Sequence, residues 1–429
     1  MKNALKTLKE HLQLNKKTTL IISVSGGSDS MALAHLLAST AAKVVIVHFN
    51  HMQREQSRQE AEMVENFAKS HGFSYHYYTL ELDKQNFQHQ AHHMRRHYLK
   101  EVARIYQTPY ILTAHHLDDL LESILIKLTK GSNLLGYAGM QYIHEKEGYA
   151  FVKPLLYVDK KSILSYLKEH NVAYMEDASN HEDHYLRNRY RHTITPIMKQ
   201  ENPNLLEQAQ AFHYQLTHAF NYIRKQTLAY LKGAYELNLE TFKTLDQAIK
   251  DDVIVYLIEA QHLKINHRTL LKILEMLASD KPNQSYQLSA DLHFIKAYDK
   301  AYIKPLLSDS DVKIQLSEGL TRYKNMSIFT FLQDSAVVTE EFSKLCYNKL
   351  AFPLWLRHKK EGDLLAFDYG HKKLKKLMID LKIPTEQRKT LWVLTDNDDH
   401  ILLVDGIYIN QTLGSKNTLY FHITEDPNA

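Results

Sequence analysis

The sequence predicts an α/β protein whose amino-terminal part folds around a parallel β-sheet. Up to about residue 170, short apolar runs alternate with longer amphipathic stretches. From about Leu205 to Ser279 the apolar spacing is helical throughout, and short strands with one basic helix follow from Lys313 to Ala429. Strands that alternate with helices at this spacing predict βαβ units, with helices covering both faces of the sheet.

Each element of the amino-terminal part has a local signature. Strands are predicted where apolar, β-branched and aromatic residues cluster, at Leu20–Val24, Lys43–Phe49, Phe73–Leu80, Tyr110–Ala114 and Phe151–Leu156. Helices are predicted where apolar residues recur at helical spacing, from about Ser30, and at Glu55–His71, His89–Tyr106, Leu117–Lys130 and Lys160–His170. The polar stretch Glu176–Arg191 predicts a segment that is loop-like at first.

The remaining pattern predicts two further domains. Helices are predicted at Leu206–Leu231, Leu245–Glu259 and Arg268–Leu277, and Ser285–Lys304 alternates in the manner of a hairpin. Pro196 and Pro203 bracket a predicted hinge, and the composition turns polar near Ser308–Asp311. We therefore expect an α/β domain over residues 1–203, a mainly helical domain over 204–310, and a small mixed α/β domain over 311–429.

Composition excludes several classes of protein. The chain of 429 residues has a formal net charge of +4 and a single cysteine, Cys346. One cysteine excludes an intramolecular disulfide, a four-thiolate zinc site and a Cys-x-x-Cys redox pair. Met1–Thr19 is lysine-studded without a long apolar core, and no later apolar run reaches the roughly 18 residues of a spanning helix. The prediction is a cytoplasmic protein without a membrane segment.

A glycine- and serine-rich turn, Ser25-Gly26-Gly27-Ser28-Asp29-Ser30, lies directly after the first predicted strand. It leads into the helix predicted from about Ser30. Paired glycines let the backbone approach a ligand, and N–H groups at a helix N-terminus bind anions. The turn therefore predicts a phosphate site. It has neither the lysine of a P-loop nor the Gly-x-Gly-x-x-Gly spacing of a dinucleotide fold. The plain alternative is a turn that only caps a helix.

Two carboxylates follow the fourth predicted strand, in the run TAHHLDDLLE from Thr113 to Glu122. Asp119 and Glu122 are three residues apart, so they share one face of the helix. Carboxylates on one face can hold Mg²⁺ against a triphosphate, and Mg²⁺ stabilises a departing pyrophosphate. The alternatives are a solvated helix face, or a zinc site that uses His115 and His116.

These motifs together resemble one family, the tRNA(Ile)-lysidine synthetases, within the PP-loop superfamily of N-type ATP pyrophosphatases. The turn alone is similar to the whole superfamily. The family resemblance continues through Thr113–Met140, Lys153–Leu156 and Glu176–Arg191, and it resumes at Arg357, Gly362-Asp363, KKLKKLMIDLKIPTEQR and Val404–Ile407. It spans almost the whole chain and is weakest in the helical middle.

The resemblance implies a two-step ligation. ATP adenylates the wobble cytidine of the CAU anticodon of tRNA(Ile), and L-lysine then displaces AMP from carbon 2. It implies ATP binding by Ser25, Gly26, Gly27, Ser28, Asp29 and Ser30, and Mg²⁺ at Asp119 and Glu122. It also implies a catalytic role for Asp29, either in shaping the loop or beside the metal. Arg187, Arg189 and Arg191 become candidates for holding nucleotide phosphate, with Arg189 also a candidate for the tRNA.

The sequence departs from the family at several positions. Ser123 stands where Thr is frequent and Leu121 where Gln is common, and both suit a supporting helix. An earlier Arg-x-x-Arg-Tyr pattern is His92-His93-Met94-Arg95-Arg96 here, which leaves the role of Arg95 open. The sequence does not fix the oligomeric state, and a homodimer is retained as one alternative.

The carboxyl-terminal part has the composition of an RNA-binding surface. Between Arg357 and Lys389 there are ten lysines and arginines against five acidic residues, with aromatic residues among them. Lysines contact phosphates and aromatic rings stack on bases. We expect the tRNA backbone to contact Lys372, Lys373, Lys375 and Lys376. A solvated helix face is the plain alternative.

Two other functions compete with the RNA-modifying ligase. One is a PP-loop ligase that acts on a small molecule, which would need no basic carboxyl-terminal part. The other is a non-catalytic RNA-binding protein with a decayed nucleotide domain, against which the intact Gly-Gly-x-Asp-Ser turn argues. Thiolating relatives carry sulfur on cysteines, and Cys346 stands alone, far from the turn in sequence.

Overall fold

The structure, a computed structural model, describes residues 1–50, 56–80, 87–175, 186–305, 312–333 and 337–425. The chain divides into two compact units, Met1–Ile223 and Arg224–Ala429. The predicted helix start at Glu55 and most of the polar stretch after Glu176 lie outside the described residues. Within the described ranges, no helix is long and apolar enough to cross a membrane.

A six-stranded sheet forms the centre of the first unit. Its strands are β1 (Thr19–Ser23), β2 (Lys43–Asn50), β3 (Ser74–Thr79), β4 (Tyr110–Leu112), β5 (Ile143–Lys146) and β6 (Tyr149–Val152). The spatial order is β3-β2-β1-β4-β6-β5. The first five strands of this order are mutually parallel, and β5 pairs with β6 in the antiparallel sense. The predicted parallel α/β sheet is confirmed.

Helices cover both faces of this sheet because alternate strand residues point to opposite sides. Leu20 and Ile22 belong to the same core as α2 and α5, whereas Ile21 packs with Leu99 and Val102 of α4 on the other face. The helices of this unit are α1 (Lys2–His11), α2 (Ser28–Ala38), α3 (Gln56–Ser70), α4 (Phe87–Ile105), α5 (Leu117–Lys130), α6 (Leu134–Tyr137), α7 (Lys160–Glu169), α8 (Leu186–Arg189) and α9 (Thr195–Glu201). A π-helical turn, Tyr190–Ile194, joins α8 to α9.

The prediction at Phe151–Leu156 is only partly right. The strand ends at Val152, because Pro154 has no N–H to donate and Lys153–Leu156 forms a turn closed by the Leu156 N–H on the Lys153 carbonyl, at 3.1 Å. The sequence analysis also missed β5. A tight turn at Glu147 and Gly148, whose φ values are 55° and 80°, lets the chain fold back on itself there.

The second unit begins within a long helix, α10 (Leu205–Leu231), that runs across the boundary between the units. The helices α11 (Leu239–Lys243), α12 (Gln247–Glu259) and α13 (His267–Ala278) share a core with buried residues from three strands of an antiparallel sheet. The strands are β7 (Glu236–Asn238), β8 (Asn283–Gln287), β9 (Leu292–Ala297) and β10 (Lys300–Pro305), in the order β7-β10-β9-β8. The segment predicted as a single hairpin therefore belongs to a four-stranded antiparallel sheet.

The carboxyl-terminal part is built from short antiparallel strands and two short helices. Its elements are β11 (Lys313–Leu316), β12 (Gly319–Tyr323), β13 (Met326–Phe331), β14 (Ser343–Tyr347), β15 (Leu354–His358), β16 (Leu364–Phe367), β17 (Gly370–Lys373), α14 (Leu374–Asp380), α15 (Thr385–Thr390), β18 (Trp392–Thr395), β19 (Ile401–Val404), β20 (Tyr408–Ile409) and β21 (Asn417–Glu425). They form sheets in the orders β11-β15-β18-β19-β20, β12-β13-β21-β14 and β16-β17. The predicted mixture of strands with a basic helix is confirmed.

Gly139 offers a test of packing against α5. Its φ is 84°, and an added Cβ would lie 2.8 Å from Leu120 Cδ1 and 3.0 Å from Ile124 Cγ1. Gly148 has a similar φ of 80°, yet a Cβ there would meet no atom within 4 Å. Both alanine variants carry the cost of a left-handed backbone, so only Gly139→Ala adds crowding. We expect it to lose about 1–2 kcal/mol more free energy of unfolding than Gly148→Ala. Urea titration measures this difference, and equal losses would contradict the packing described.

Candidate active site

The glycine-rich turn joins β1 to α2 at the carboxyl edge of the parallel strands. Gly26 has a φ of 92°, a conformation that favours glycine. The Ser30 hydroxyl donates to the Gly27 carbonyl at 2.9 Å and accepts the Ser25 N–H at 3.2 Å. Ser30, at the start of α2, therefore fixes the conformation of the glycine-rich turn. The structure brings all six predicted ATP-binding residues, Ser25–Ser30, to one helix N-terminus, which suits phosphate.

The carboxylates of α5 lie at the same edge of the sheet, because β4 is parallel to β1 and ends just before α5. His116 precedes the helix, and its backbone N–H donates to Asp119 Oδ2 at 3.0 Å. Asp119 thus caps the helix with one oxygen. Asp119 is 8% exposed and Glu122 is 1% exposed. As predicted from their spacing, the two carboxylates lie on one face, but they are buried and cannot form a solvated face.

Two arginines bind these carboxylates. Arg191 donates from Nε to Glu122 Oε1 at 2.7 Å and from Nη2 to Asp119 Oδ1 at 2.8 Å. Arg187 donates from Nε to Glu122 Oε2 at 2.9 Å and from Nη2 to Asp119 Oδ1 at 3.3 Å. Burial would raise the pKa of Asp119, but the charges of His116 and Arg187 outweigh it, and the pKa is lowered. Two cations and two carboxylates therefore balance each other.

The π-helical turn explains how both arginines reach α5. Arg187 and Arg191 are four residues apart, so a continuous helical segment through α8 and the turn presents them on one side. The Tyr190 hydroxyl is bonded to Thr129 Oγ1, on α5, which holds the turn against that helix. Arg189 lies between them in sequence, and its side chain is exposed. The roles of all three arginines toward phosphate or RNA stay predictions.

The residues present do not fit a resident Mg²⁺ at Asp119 and Glu122. Each of their four carboxylate oxygens already accepts an N–H of the protein, from His116, Arg187 or Arg191. Oxygen ligands suit Mg²⁺, but none of these four is free for it. The metal role of the two residues stays a prediction, and it requires both arginines to turn away.

His116 links the turn to α5. Its Nε2 lies 3.6 Å from Asp29 Oδ2 and 3.5 Å from Asp119 Oδ2, and its Nδ1 lies 3.4 Å from Asp118 Oδ2. Burial lowers the pKa of His116, but the surrounding carboxylates of these three aspartates outweigh it, and the pKa is raised. Asp118 Oδ1 in turn accepts a hydrogen bond from the Lys199 ammonium at 2.5 Å. The three aspartates therefore favour the charged form of His116.

The zinc hypothesis is not favoured by the site. The Nδ1 of His115 is bonded to Thr113 Oγ1 at 2.9 Å, and His116 lies among three aspartates, so the two rings are engaged with different partners. Among the described residues, the one set of three side chains close enough to share a metal is Asp396, Asp398 and His400, in the carboxyl-terminal part.

The sequence analysis missed Lys160. Its ammonium donates to Ser28 Oγ at 2.7 Å and to Asp29 Oδ1 at 2.5 Å, so a cation lies directly at the glycine-rich turn. Lys160 is 131 residues from Asp29 in sequence, and nothing in its local pattern distinguishes it from Lys161. The one available signal is its position, as the first residue of a helix just after a strand of the parallel sheet.

The predicted RNA contacts lie in the carboxyl-terminal part, and the structure separates them into two kinds. Lys373, Lys375 and Lys376 are exposed, on the end of β17 and the start of α14. Lys372 is half-buried and bonded to Asp380 at 2.8 Å. Tyr369 is 80% exposed beside them. Three exposed cations and an exposed ring are the composition that RNA binding uses.

Two family models match this chain. One described as a PP-loop domain matches residues 1–198, and one described as the TilS substrate C-terminal domain matches residues 350–422. The tRNA(Ile)-lysidine synthase of Aster yellows witches'-broom phytoplasma (strain AYWB) is 35% identical over 425 residues, 97% of this chain and 96% of that protein. The chain belongs to the tRNA(Ile)-lysidine synthase family.

A second member agrees with this assignment. The tRNA(Ile)-lysidine synthase of Enterococcus faecalis (strain ATCC 700802 / V583) is 30% identical over 423 residues, 90% of each chain. The resemblance seen in the sequence is confirmed, and so is the PP-loop fold around the glycine-rich turn. The tRNA(Ile)-lysidine synthase family is one of ATP-using ligases. The match to the TilS substrate domain includes the exposed lysines of β17 and α14.

Lys153 supplies a test of electrostatics near this site. It follows β6, donates to the Gln141 carbonyl at 2.9 Å, and burial lowers its pKa to about 8. In the unfolded chain its pKa is about 10.4. Between these values the unfolded state binds more protons, so the free energy of unfolding rises with pH, by up to about 1.4 kcal/mol per unit. We expect Lys153→Met to lack this rise. Urea titrations at pH 7.5, 8.5 and 9.5 measure the free energy of unfolding. If it rose equally with pH in the unchanged protein and in Lys153→Met, the effect of burial on Lys153 would be refuted.

Proposed function

We propose that this chain joins L-lysine to carbon 2 of the wobble cytidine in the CAU anticodon of tRNA(Ile), with ATP converted to AMP and pyrophosphate. The observation that carries this proposal is the near full-length match to a tRNA(Ile)-lysidine synthase, which includes both the PP-loop domain and the TilS substrate domain. A ligase of small molecules, the alternative, has no use for the second of these domains.

The first step adenylates the cytidine. Its O2 attacks the α-phosphorus of ATP, a bond forms between them, and the bond from that phosphorus to the bridging oxygen breaks. The electron pair leaves with pyrophosphate. The N–H groups of the turn Ser25–Ser30 and the N-terminus of α2 favour the negative charge that collects on the phosphates. Gly26 and Gly27 permit the close approach of backbone to phosphate.

Charge must be redistributed when a triphosphate enters. Arg187 and Arg191 are about one-third exposed, so their guanidinium groups can exchange Asp119 and Glu122 for phosphate oxygens. This exchange gives the arginines the phosphate role expected from the resemblance. Mg²⁺ enters as the counter-ion of ATP and thus as part of the substrate, and Asp119 and Glu122 have free oxygens for it only after the arginines have moved.

The second step forms the carbon–nitrogen bond. The lysine amine, as the free base, attacks carbon 2, the bond from carbon 2 to O2 breaks, and AMP leaves with that oxygen. A cytosine can be attacked at carbon 2 only when it is unstacked, and an anticodon loop presents unstacked bases at low cost.

The three-domain division at residues 203 and 310, the homodimer and the cytoplasmic location stay proposals.

One incubation tests the function. Purified protein is mixed with MgATP, radiolabelled L-lysine and total tRNA. Label should enter the RNA, with AMP and pyrophosphate released in equal amounts. ATP–pyrophosphate exchange that needs no RNA would favour the small-molecule ligase. A complete lack of turnover would favour a non-catalytic RNA-binding protein.

Asp119→Asn separates catalysis from RNA binding. The amide keeps the shape of the side chain but removes the charge that holds Arg191 and Arg187. We expect adenylate formation to fall by roughly 100-fold or more. tRNA affinity, measured by filter binding, should stay within about threefold. If affinity and turnover fell together, the assignment of Asp119 to the chemistry would be wrong.

The basic surface of β17 and α14 predicts unequal effects of its lysines. Each phosphate contact contributes to the slope of affinity against salt concentration. The combined change of Lys373, Lys375 and Lys376 to Ala should weaken tRNA binding and reduce this slope by about two to three. Lys372→Ala is the matched control, because Lys372 is already neutralised by Asp380 and should change the slope least. An unchanged slope in the triple variant would refute the contact.

A further inference from the structure

The glycine-rich turn contains a carboxylate but no cation. Asp29 is its one charged residue, although the phosphates that it is proposed to hold are strongly anionic. In P-loop proteins, a lysine at the end of the loop reaches the β- and γ-phosphates. Here that position holds no lysine, so a cation for the departing pyrophosphate must come from elsewhere in the fold.

Lys160 is a cation at the required place. Its ammonium lies 2.7 Å from the hydroxyl of Ser28, the first residue of α2. A phosphate bound at this helix N-terminus would therefore lie within reach of the Lys160 ammonium. We propose, on the basis of the ligase function above, that Lys160 binds the β- and γ-phosphates of ATP and stabilises pyrophosphate as it leaves.

Several contacts hold the backbone of Lys160 in position. Its N–H donates to Asp118 Oδ2 at 3.0 Å, on the neighbouring helix α5. Asp159 caps α7 by accepting the Ser162 N–H at 2.8 Å. Ile163 and Leu167 anchor the same helix in the core that contains α2. The start of α7 is thus fixed against both elements of the nucleotide site, as a phosphate-binding side chain requires.

The side chain itself is free to change partners. Lys160 is 37% exposed and Asp29 is 31% exposed, and an ion pair this accessible to solvent is weak. Lys160 also lines an open cavity of about 1150 Å³, together with Asp118 and Lys199. A phosphate with more than one negative charge competes successfully with a single carboxylate. Asp29 then acts as the counter-ion that holds Lys160 until the nucleotide arrives.

The test compares Lys160→Met with Lys161→Met. Lys161 is the next residue of the same helix and is exposed, so its change removes the same charge from the same surface. The probe is inorganic pyrophosphate with Mg²⁺, and AMP is the reference ligand; calorimetry measures both affinities without tRNA or lysine. We expect Lys160→Met to weaken pyrophosphate binding by about tenfold to a hundredfold and AMP binding by less than threefold. Lys161→Met should bind both as the unchanged protein does.

A second readout guards against an indirect effect. In single turnovers with tRNA, Lys160→Met should slow adenylate formation by a similar factor, and Lys160→Arg should restore most of the rate. Equal losses of pyrophosphate and AMP affinity would overturn the proposal, since they would mean that Lys160 only shapes the turn. Unchanged pyrophosphate affinity would also overturn it. Because the binding measurement needs no lysine transfer, a failure of the ligase function would leave its result interpretable.

Discussion

The site depends on the pairing of buried carboxylates at the start of α5 with cations from distant segments of the chain. Asp119 and Glu122 are almost fully buried, and an unpaired charge in such a place costs several kcal/mol. Arg187 and Arg191 neutralise them, and His116 lies among the neighbouring aspartates. The need for this neutralisation holds the helical segment after residue 186 against α5.

The described site is balanced by its own side chains. Lys160 offsets Asp29, Lys199 offsets Asp118, and the two arginines offset the carboxylates of α5. A triphosphate would add negative charge to this set, which is why the proposed binding proceeds by exchange of partners. The cations near the turn are about one-third exposed, which keeps the cost of exchange small, whereas the α5 carboxylates that the arginines would leave are buried and would then demand a new cation.

Chemistry and contacts to the RNA backbone are proposed for different parts of the chain. The groups proposed to contact ATP all belong to the first unit, whereas the exposed lysines and the exposed tyrosine belong to the carboxyl-terminal part of the second. Contacts to phosphate by exposed lysines are additive and sensitive to salt, while contacts at the turn are few and geometrically exacting. Changes in the two parts should therefore have separable consequences for affinity and for rate.

The sequence by itself determined the local features of this protein. The strand–turn–helix around Ser25–Ser30 follows from glycine conformation and apolar runs, and the shared face of Asp119 and Glu122 follows from helical spacing. Only the tertiary structure decided which charges meet: Lys160 with Asp29, the arginines with the α5 carboxylates, and Lys372 with Asp380. The physical reason is that backbone conformation depends on near neighbours in sequence. The partner of a side chain depends instead on how remote segments pack, and one lysine resembles the next until that packing is known.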